Sequence, residues 1–258
     1  MKNVLKRFKL FQWGVSLLGG TEPVVAEVLP EPVVADKKNH TKEMHAYHML
    51  KFAIAEAVRE NANPITVSLG GRDYYDINGV EITAGTPKSD FHLTNTKGEP
   101  VVWLSYKAGL KASSFHQWGG MSLKKEPDIY NHEETRGFIH DVQVKYPNGI
   151  PKATSVYRKI NDEQIKMMAV YGNKYNTEWS SEQNVNAVLH GNISLTFNGG
   201  VYVLSASHIH INGDTVAGEF EPVFMAIYKG DRSDFGIKGA RLVTMPISGR
   251  KAKELTQD

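Results

Sequence analysis

Residues 87–120 read PKSDFHLTNTKGEPVVWLSYKAGLKASSFHQWGG, and they determine the predicted fold. The segments SDFHLTN and VVWLSYK carry alternating or β-branched apolar residues, and TKGEP between them is a cluster of turn residues, so the sequence predicts a β-hairpin. The start of one antiparallel strand lies beside the end of the next. We therefore expect the carboxylate of Asp90 to lie close to the ammonium of Lys107.

This arrangement resembles the core of the PD-(D/E)xK nucleases, the restriction-endonuclease-like family. The resemblance implies that Asp90 binds Mg²⁺ and that Lys107, in Ser-Tyr-Lys, activates a water. Ser105 stands where the family has its second acid, and a hydroxyl is a poorer Mg²⁺ ligand than a carboxylate. Another acid would have to complete the metal site. The candidates are Glu56, Glu81 and Glu99.

The family commonly places a Gln on the helix that follows the lysine strand. Gln117 follows Lys107, and Ser113 or Ser114 is available to cap such a helix. The resemblance thus implies a catalytic set of Asp90, Lys107 and Gln117, with Mg²⁺ as cofactor. The alternative is that Asp90 and Lys107 are a solvated cross-strand pair that contributes little free energy.

The chain before this hairpin divides into three parts. Residues 1–20 combine basic and apolar residues at helical spacing, which predicts a basic amphipathic helix or a targeting segment; a secretory signal peptide is the alternative. Residues 21–40 contain EPVVAE and EPVVAD, whose prolines and acids predict an extended linker. Thr41 is a candidate N-cap for a helix that ends near Glu60.

Residues 41–150 are expected to form the nuclease-like core. Residues 65–69 predict a strand, and the Asn-Gly pair at 78–79 predicts the turn of a further hairpin. The predicted fold class is α+β: an N-terminal helix and a mixed or antiparallel sheet in the restriction-endonuclease-like arrangement. Helices and an antiparallel β region follow it.

Residues 151–258 are expected to form that α+β region. Asp162 is a good cap for a helix that stops at Gly172, and residues 180–191 predict another short helix. Strands between residues 193 and 246 follow, joined by turns such as Asn-Gly-Gly at 198–200. His208 and His210 share one strand face near Asp214, a spacing that fits either a transition-metal site or a solvated surface.

A glycine-rich basic loop, KGDRSDFGIKGAR, covers residues 229–241. Backbone N–H groups and Arg side chains in such a loop can approach phosphates closely. We therefore predict that Arg232, Lys238 and Arg241 bind nucleic acid. Asp231 and Asp234 lie in the same loop, and the alternative is a loop whose charges neutralise one another.

Composition limits the function classes without choosing between them. The chain has 258 residues, of which 41% are hydrophobic, and a net charge of +2, which is too balanced to indicate nucleic-acid binding by itself. It has no cysteine, which excludes disulfides, thiolate zinc sites and a cysteine nucleophile. The run of apolar residues in 1–20 is too short to span a membrane, so we expect no integral membrane association.

Two functions remain open. The first is a phage-type, Mg²⁺-dependent nuclease that hydrolyses phosphodiester bonds in DNA. The second is a non-enzymatic nucleic-acid-binding protein or a structural component of the virion. The pattern W-x-S-Y-K-x-G followed by F-x-Q-W-G-G is also similar to uncharacterised bacteriophage proteins. Both functions imply DNA as the partner and the host cytoplasm or the virion as the location.

Overall fold

The computed structural model describes residues 38–85, 87–114 and 117–256. The helix predicted for residues 1–20 lies outside these residues, and so does most of the linker predicted for 21–40. The first helix begins at Lys38, three residues before the predicted N-cap Thr41.

The described residues form the following elements. In chain order they are α1 (Lys38–Asn61), β1 (Ile65–Leu69), β2 (Arg72–Ile82), β3 (Phe91–Asn95), β4 (Pro100–Lys107), β5 (Gly119–Gly120), α2 (Pro127–Asn131), α3 (Glu133–Lys145), β6 (Ser155–Lys159), α4 (Glu163–Tyr171), β7 (Ala187–Asn198), β8 (Val201–Ile211), β9 (Pro222–Tyr228), β10 (Ala240–Pro246) and β11 (Lys253–Glu254). Single turns of 3₁₀ helix lie at Ala112–Ser114, Gly218–Phe220 and Asp234–Gly236.

Six strands of the described chain close into a mixed barrel, in the order β1-β2-β3-β4-β7-β8. The pairs β1–β8 and β4–β7 are parallel, and the other neighbours are antiparallel. The predicted restriction-endonuclease-like fold is therefore wrong. The hairpin of β3 and β4 is present as predicted, but closure depends on parallel contacts between strands far apart in sequence, which local patterns do not specify.

Helix α1 packs an apolar stripe against β1, β2 and β7. The stripe follows helical spacing through Tyr47, Leu50 and Ile54. No helix in the described part of the chain has the length and apolar character that crossing a bilayer requires.

Two local predictions are wrong, because residues that are typical of hairpin turns and helix caps lie in a β-bulge and in a local turn instead. The Asn-Gly pair at 78–79 makes no hairpin; β2 continues through it, with a bulge between Ile77 and Gly79. A Cβ at Gly79 would lie 2.9 Å from Thr94 Oγ1, so the glycine permits close strand approach. Residues 180–191 form no helix: Ser181 Oγ accepts from Gln183 N at 3.1 Å in a local turn, and β7 follows.

A second sheet contains five strands of the described chain, in the order β11-β6-β9-β10-β5. Its central strand β9 is buried on both faces. Phe224 and Ala226 pack in a core with residues of α3 and α4, whereas Val223, Met225 and Ile227 belong to a separate cluster. This alternation follows from the two-residue period of a strand.

Helix α4 connects this sheet to the barrel. Asp162 caps it by accepting from Ile165 N at 3.0 Å, and Gly172 ends it with φ of 136°, both as predicted. Met168 packs into the core of the second sheet, whereas Val170 packs in a cluster that contains Val188 of the barrel. The candidate site lies at this junction.

Candidate functional site

The β3–β4 hairpin joins Asp90 and Lys107 through a hydroxyl. Lys107 Nζ donates to Ser105 Oγ over 3.2 Å, and Ser105 Oγ donates to Asp90 Oδ2 over 3.0 Å. The backbone N–H of Tyr106 donates to the same carboxylate oxygen at 2.5 Å. Ser105 is fully buried, so it fixes the positions of its two charged neighbours rather than facing a ligand.

Lys88 lies beside this pair, and the sequence had not indicated it. Its Nζ donates to the main-chain oxygens of Trp118 at 2.7 Å and Ala169 at 2.8 Å. Burial and then the charge of Lys107 lower the pKa of Lys88 well below its ordinary value, whereas Asp90 opposes the shift. Bound negative charge would raise this pKa again, because it favours the ammonium form.

A cavity of about 220 Å³ opens beside these groups. Its lining includes Lys88, Asp90, Lys107, Gln117, Lys125 and Glu126. The predicted catalytic residues therefore line one cavity. The helix predicted for Gln117 is absent from the described residues, since one 3₁₀ turn ends at Ser114 and Gln117 has no helical conformation.

A second cavity of about 490 Å³ shares lining residues with the first, namely Gln117, Gly120, Lys125 and Glu126. Its remaining wall includes Arg232, Asp234, Phe235 and Arg241. Arg241 donates through Nη2 to Gln117 Oε1, which connects the two parts. Burial lowers the pKa of Arg241. We call these two neighbouring cavities together the basic groove.

The basic groove carries a formal excess of two positive charges. Within the described residues its lining contains five cationic side chains and three acids. The cations are Lys88, Lys107, Lys125, Arg232 and Arg241, and the acids are Asp90, Glu126 and Asp234.

Other predicted site residues lie outside the groove. Lys238 is exposed and lines neither cavity. Glu56 pairs with Arg59 on α1 at 2.6 Å. Glu81 lies 4.0 Å from His92 Nε2, and Glu99 accepts from Asn95 Nδ2 at 2.8 Å. The three candidate acids for the metal therefore do not line a cavity with Asp90.

Asp90 affects the pKa of a different acid, Glu43 of α1. Burial raises the pKa of Glu43, the charge of Asp90 raises it further, and Lys107 opposes the shift. Glu43 lies one helical turn before the buried Tyr47, so it is near the helix face that packs on the barrel. Apolar residues at helical spacing mark this helix face in the sequence, but they do not indicate contact with Asp90.

The residues around Asp90 do not fit Mg²⁺. One Asp90 oxygen already accepts two hydrogen bonds, and the ammonium groups of Lys88 and Lys107 oppose a second cation in the same cavity. Mg²⁺ needs several hard oxygen ligands in an octahedral shell. Among residues 38–85, 87–114 and 117–256, no three His, Asp or Glu side chains are grouped to hold a metal ion.

Three histidines of the described chain pack together behind the groove. The rings of His190, His208 and His210, which we call the histidine cluster, have centroids 4.7 to 5.8 Å apart. Trp118 contacts His190 and His210 edge-on, and Phe220 stacks on His208 at 4.4 Å. The predicted metal site at His208, His210 and Asp214 is not assembled in the described residues.

Burial keeps two of these histidines neutral. It lowers the pKa of His190 to about 3 and that of His210 to about 4, and the neighbouring histidines add to both shifts. His210 Nε2 is buried, with no hydrogen-bond partner among the described residues. The alternative prediction, a solvated strand face, is therefore wrong for His210.

Comparisons with protein-family models, with curated proteins and with solved structures found no match for this chain. Function therefore has to be inferred from the basic groove and its chemistry.

Proposed function

We propose that the protein binds nucleic acid non-enzymatically, through the sugar-phosphate backbone in the basic groove. The observation that supports this most is the pairing of charged groups with neutral partners. Lys107 donates to a hydroxyl, Lys88 to two carbonyls and Arg241 to an amide oxygen. Lys107 and Arg241 are thus bonded to neutral groups, and a bound anion would favour the ammonium form of Lys88, whose pKa is lowered by burial.

The acids of the groove are engaged in the same way. Asp90 accepts from a hydroxyl and a backbone N–H. Glu126 Oε2 accepts from the N–H and hydroxyl of Ser122 at 3.0 and 2.8 Å, and Asp234 Oδ2 accepts from Leu242 N at 2.9 Å. Among the described groove residues, Arg232 and Asp234 form a direct ion pair at 3.3 Å.

A linear polyanion suits this arrangement better than a single small anion. The cations come from segments far apart in the chain and line two neighbouring cavities, so one phosphate cannot reach all of them. Low-dielectric walls strengthen their attraction for phosphates. No hydrolytic step is proposed, because Glu56, Glu81 and Glu99, the acids predicted to complete the metal site with Asp90, lie outside the groove.

The test is the salt dependence of binding to labelled DNA oligonucleotides, single-stranded and duplex, measured by fluorescence anisotropy. Each phosphate contact contributes roughly 0.7 to 0.9 to the slope of log K against log salt. We expect Lys107→Ala and Arg241→Ala each to flatten the slope by about one such contact. Lys238→Ala is the matched control, because Lys238 is exposed beyond the groove, and its slope should equal that of the wild type.

Two results would contradict the proposal. The first is the absence of binding by the wild-type protein at low salt. The second is a loss of slope in Lys238→Ala equal to that in Arg241→Ala, which would mean that DNA contacts the surface without using the groove. Cleavage of the oligonucleotides with Mg²⁺, lost in Lys107→Ala, would support the nuclease function instead.

A further inference from the structure

We infer that the basic groove accepts single-stranded nucleic acid and that one base stacks on Phe235. This inference rests on the proposed nucleic-acid binding and adds the class of strand and the residue that contacts a base. Phe235 lines the wider cavity together with Arg232 and Arg241. Aromatic rings beside cationic side chains are the usual elements of single-strand binding.

The backbone of Phe235 is the first observation. It has φ of 54° and ψ of 32°, in the left-handed region that residues with bulky side chains rarely adopt. Such a conformation persists only where the surroundings hold it, and it is concentrated at functional sites. Here Ile237 N donates to Asp234 O at 3.1 Å, and Gln143 Nε2 donates to Phe235 O at 3.0 Å. The loop thus holds an aromatic side chain where glycine is the easier residue.

The support beneath the ring is the second observation. Phe235 stacks on Tyr130 with centroids 5.5 Å apart and planes inclined by 19°. Both rings are partly buried against the core of the second sheet. A ring fixed in this way loses little freedom when a base stacks on it, and the base would extend the existing stack.

The need for a single strand follows from the geometry of stacking. In a duplex both faces of a base are covered by its neighbours, whereas a single strand can turn a base out onto a protein ring. Arg232 and Arg241 line the same cavity and can contact the phosphates on either side of that base. Recognition would be tolerant of sequence, because every base has an aromatic face.

The experiment compares three labelled probes of equal length: an oligothymidine, an oligomer of abasic sites, and a duplex. The wild-type protein should bind the oligothymidine about tenfold more tightly than the abasic oligomer. Phe235→Leu should abolish that preference, whereas Phe235→Trp should retain it. Tyr75→Leu is the matched control, since Tyr75 is 69% exposed on β2 and outside the groove lining.

Phe235→Gly separates the loss of the ring from a loss of folding. Glycine adopts positive φ without strain, so this variant should melt no lower than Phe235→Leu and should lack the base preference. Equal binding of oligothymidine and abasic oligomer by the wild type would overturn the stacking and leave the phosphate groove standing. Duplex binding as tight as oligothymidine binding would overturn the preference for a single strand. Binding of none of the probes would overturn the proposed function as well.

Discussion

The basic groove and the histidine cluster meet at Trp118 and treat ionisable groups in opposite ways. The main-chain oxygen of Trp118 accepts from Lys88, whereas its ring contacts His190 and His210. In the groove, Lys107, Arg241 and Asp90 are bonded to neutral groups, and Arg232 pairs with Asp234. In the histidine cluster, burial among aromatic rings keeps the imidazoles of His190 and His210 uncharged.

The difference separates a region that packs the core from the region for which we propose binding. The buried, neutral rings of His190 and His210 contribute packing and need no ligand. Lys88, by contrast, lies close enough to Lys107 that the charge of Lys107 disfavours its ammonium form, and neither lysine makes a direct ion pair with a groove acid in the described residues. Such an arrangement costs stability in the free protein and is relieved by a bound anion.

Trp118 is shared by both regions, so its loss should have the largest effect. It is 2% exposed, and its Nε1 donates to Phe220 O at 3.1 Å. We expect Trp118→Ala to lower the free energy of unfolding by about 4 kcal/mol, the range for a buried aromatic residue. Urea unfolding measures this. Trp179→Ala is the control, since Trp179 is 70% exposed. An equally large loss of unfolding free energy in Trp179→Ala would show that the effect of Trp118→Ala does not come from its position between the two regions.

Acid should destabilise the histidine cluster. Below about pH 6.5 the histidines of the unfolded chain gain protons, whereas His190 and His210 stay neutral in the folded state until about pH 3 and 4. The unfolded state then binds more protons, so stability falls as the pH falls through this window, by about 1.4 kcal/mol per pH unit for each histidine. Above about pH 6.5 these groups add no pH dependence.

His190→Leu should remove one proton from that slope between pH 6.5 and 5. The measurement is urea unfolding at several pH values, and His48→Leu is the control because His48 is exposed on α1. A slope unchanged in His190→Leu would show that this imidazole is protonated in the folded protein, which would make the cluster resemble the groove.

The elements that the sequence predicts correctly are those determined by residues close together in the chain. The β3–β4 hairpin depends on adjacent strands and one turn, and helix α4 depends on the cap Asp162 and the stop Gly172. Barrel closure could not be predicted, because β1 meets β8 and β4 meets β7 across long stretches of chain.

The candidate site divides in the same way. Asp90 and Lys107 come together through local pairing, whereas Gln117 meets Arg241 across 124 residues of chain. Lys88 gave no signal, because its role depends on carbonyls of Trp118 and Ala169 that only the tertiary structure brings near.

Lys88→Met tests whether the groove is costly to the free protein. The substitution leaves two carbonyls without their donor, which costs about 1 to 2 kcal/mol, and it removes the repulsion from Lys107. We expect a net loss of about 1 kcal/mol in the free energy of unfolding and weaker DNA binding. Lys97→Met, at an exposed turn, is the control. A loss above about 3 kcal/mol would mean that Lys88 is mainly structural.

Asp90→Asn should have the smallest effect on stability and the most informative effect on binding. An amide oxygen can still accept from Ser105 Oγ and Tyr106 N, so the hairpin end should keep its hydrogen bonds. The variant removes one negative charge from a cavity lined by Lys88 and Lys107. At the separations and solvent screening of such a cavity, that charge opposes a phosphate by about 1 kcal/mol or less.

Asp90→Asn should therefore bind DNA a few-fold more tightly, whereas a nuclease that uses Asp90 as a metal ligand would lose its activity in the same variant. Anisotropy titrations of the wild type, Asp90→Asn and the exposed-site control Asp76→Asn at one salt concentration decide between these outcomes. Weaker binding by Asp90→Asn alone would show that the carboxylate assists the ligand, contrary to a groove that binds phosphates.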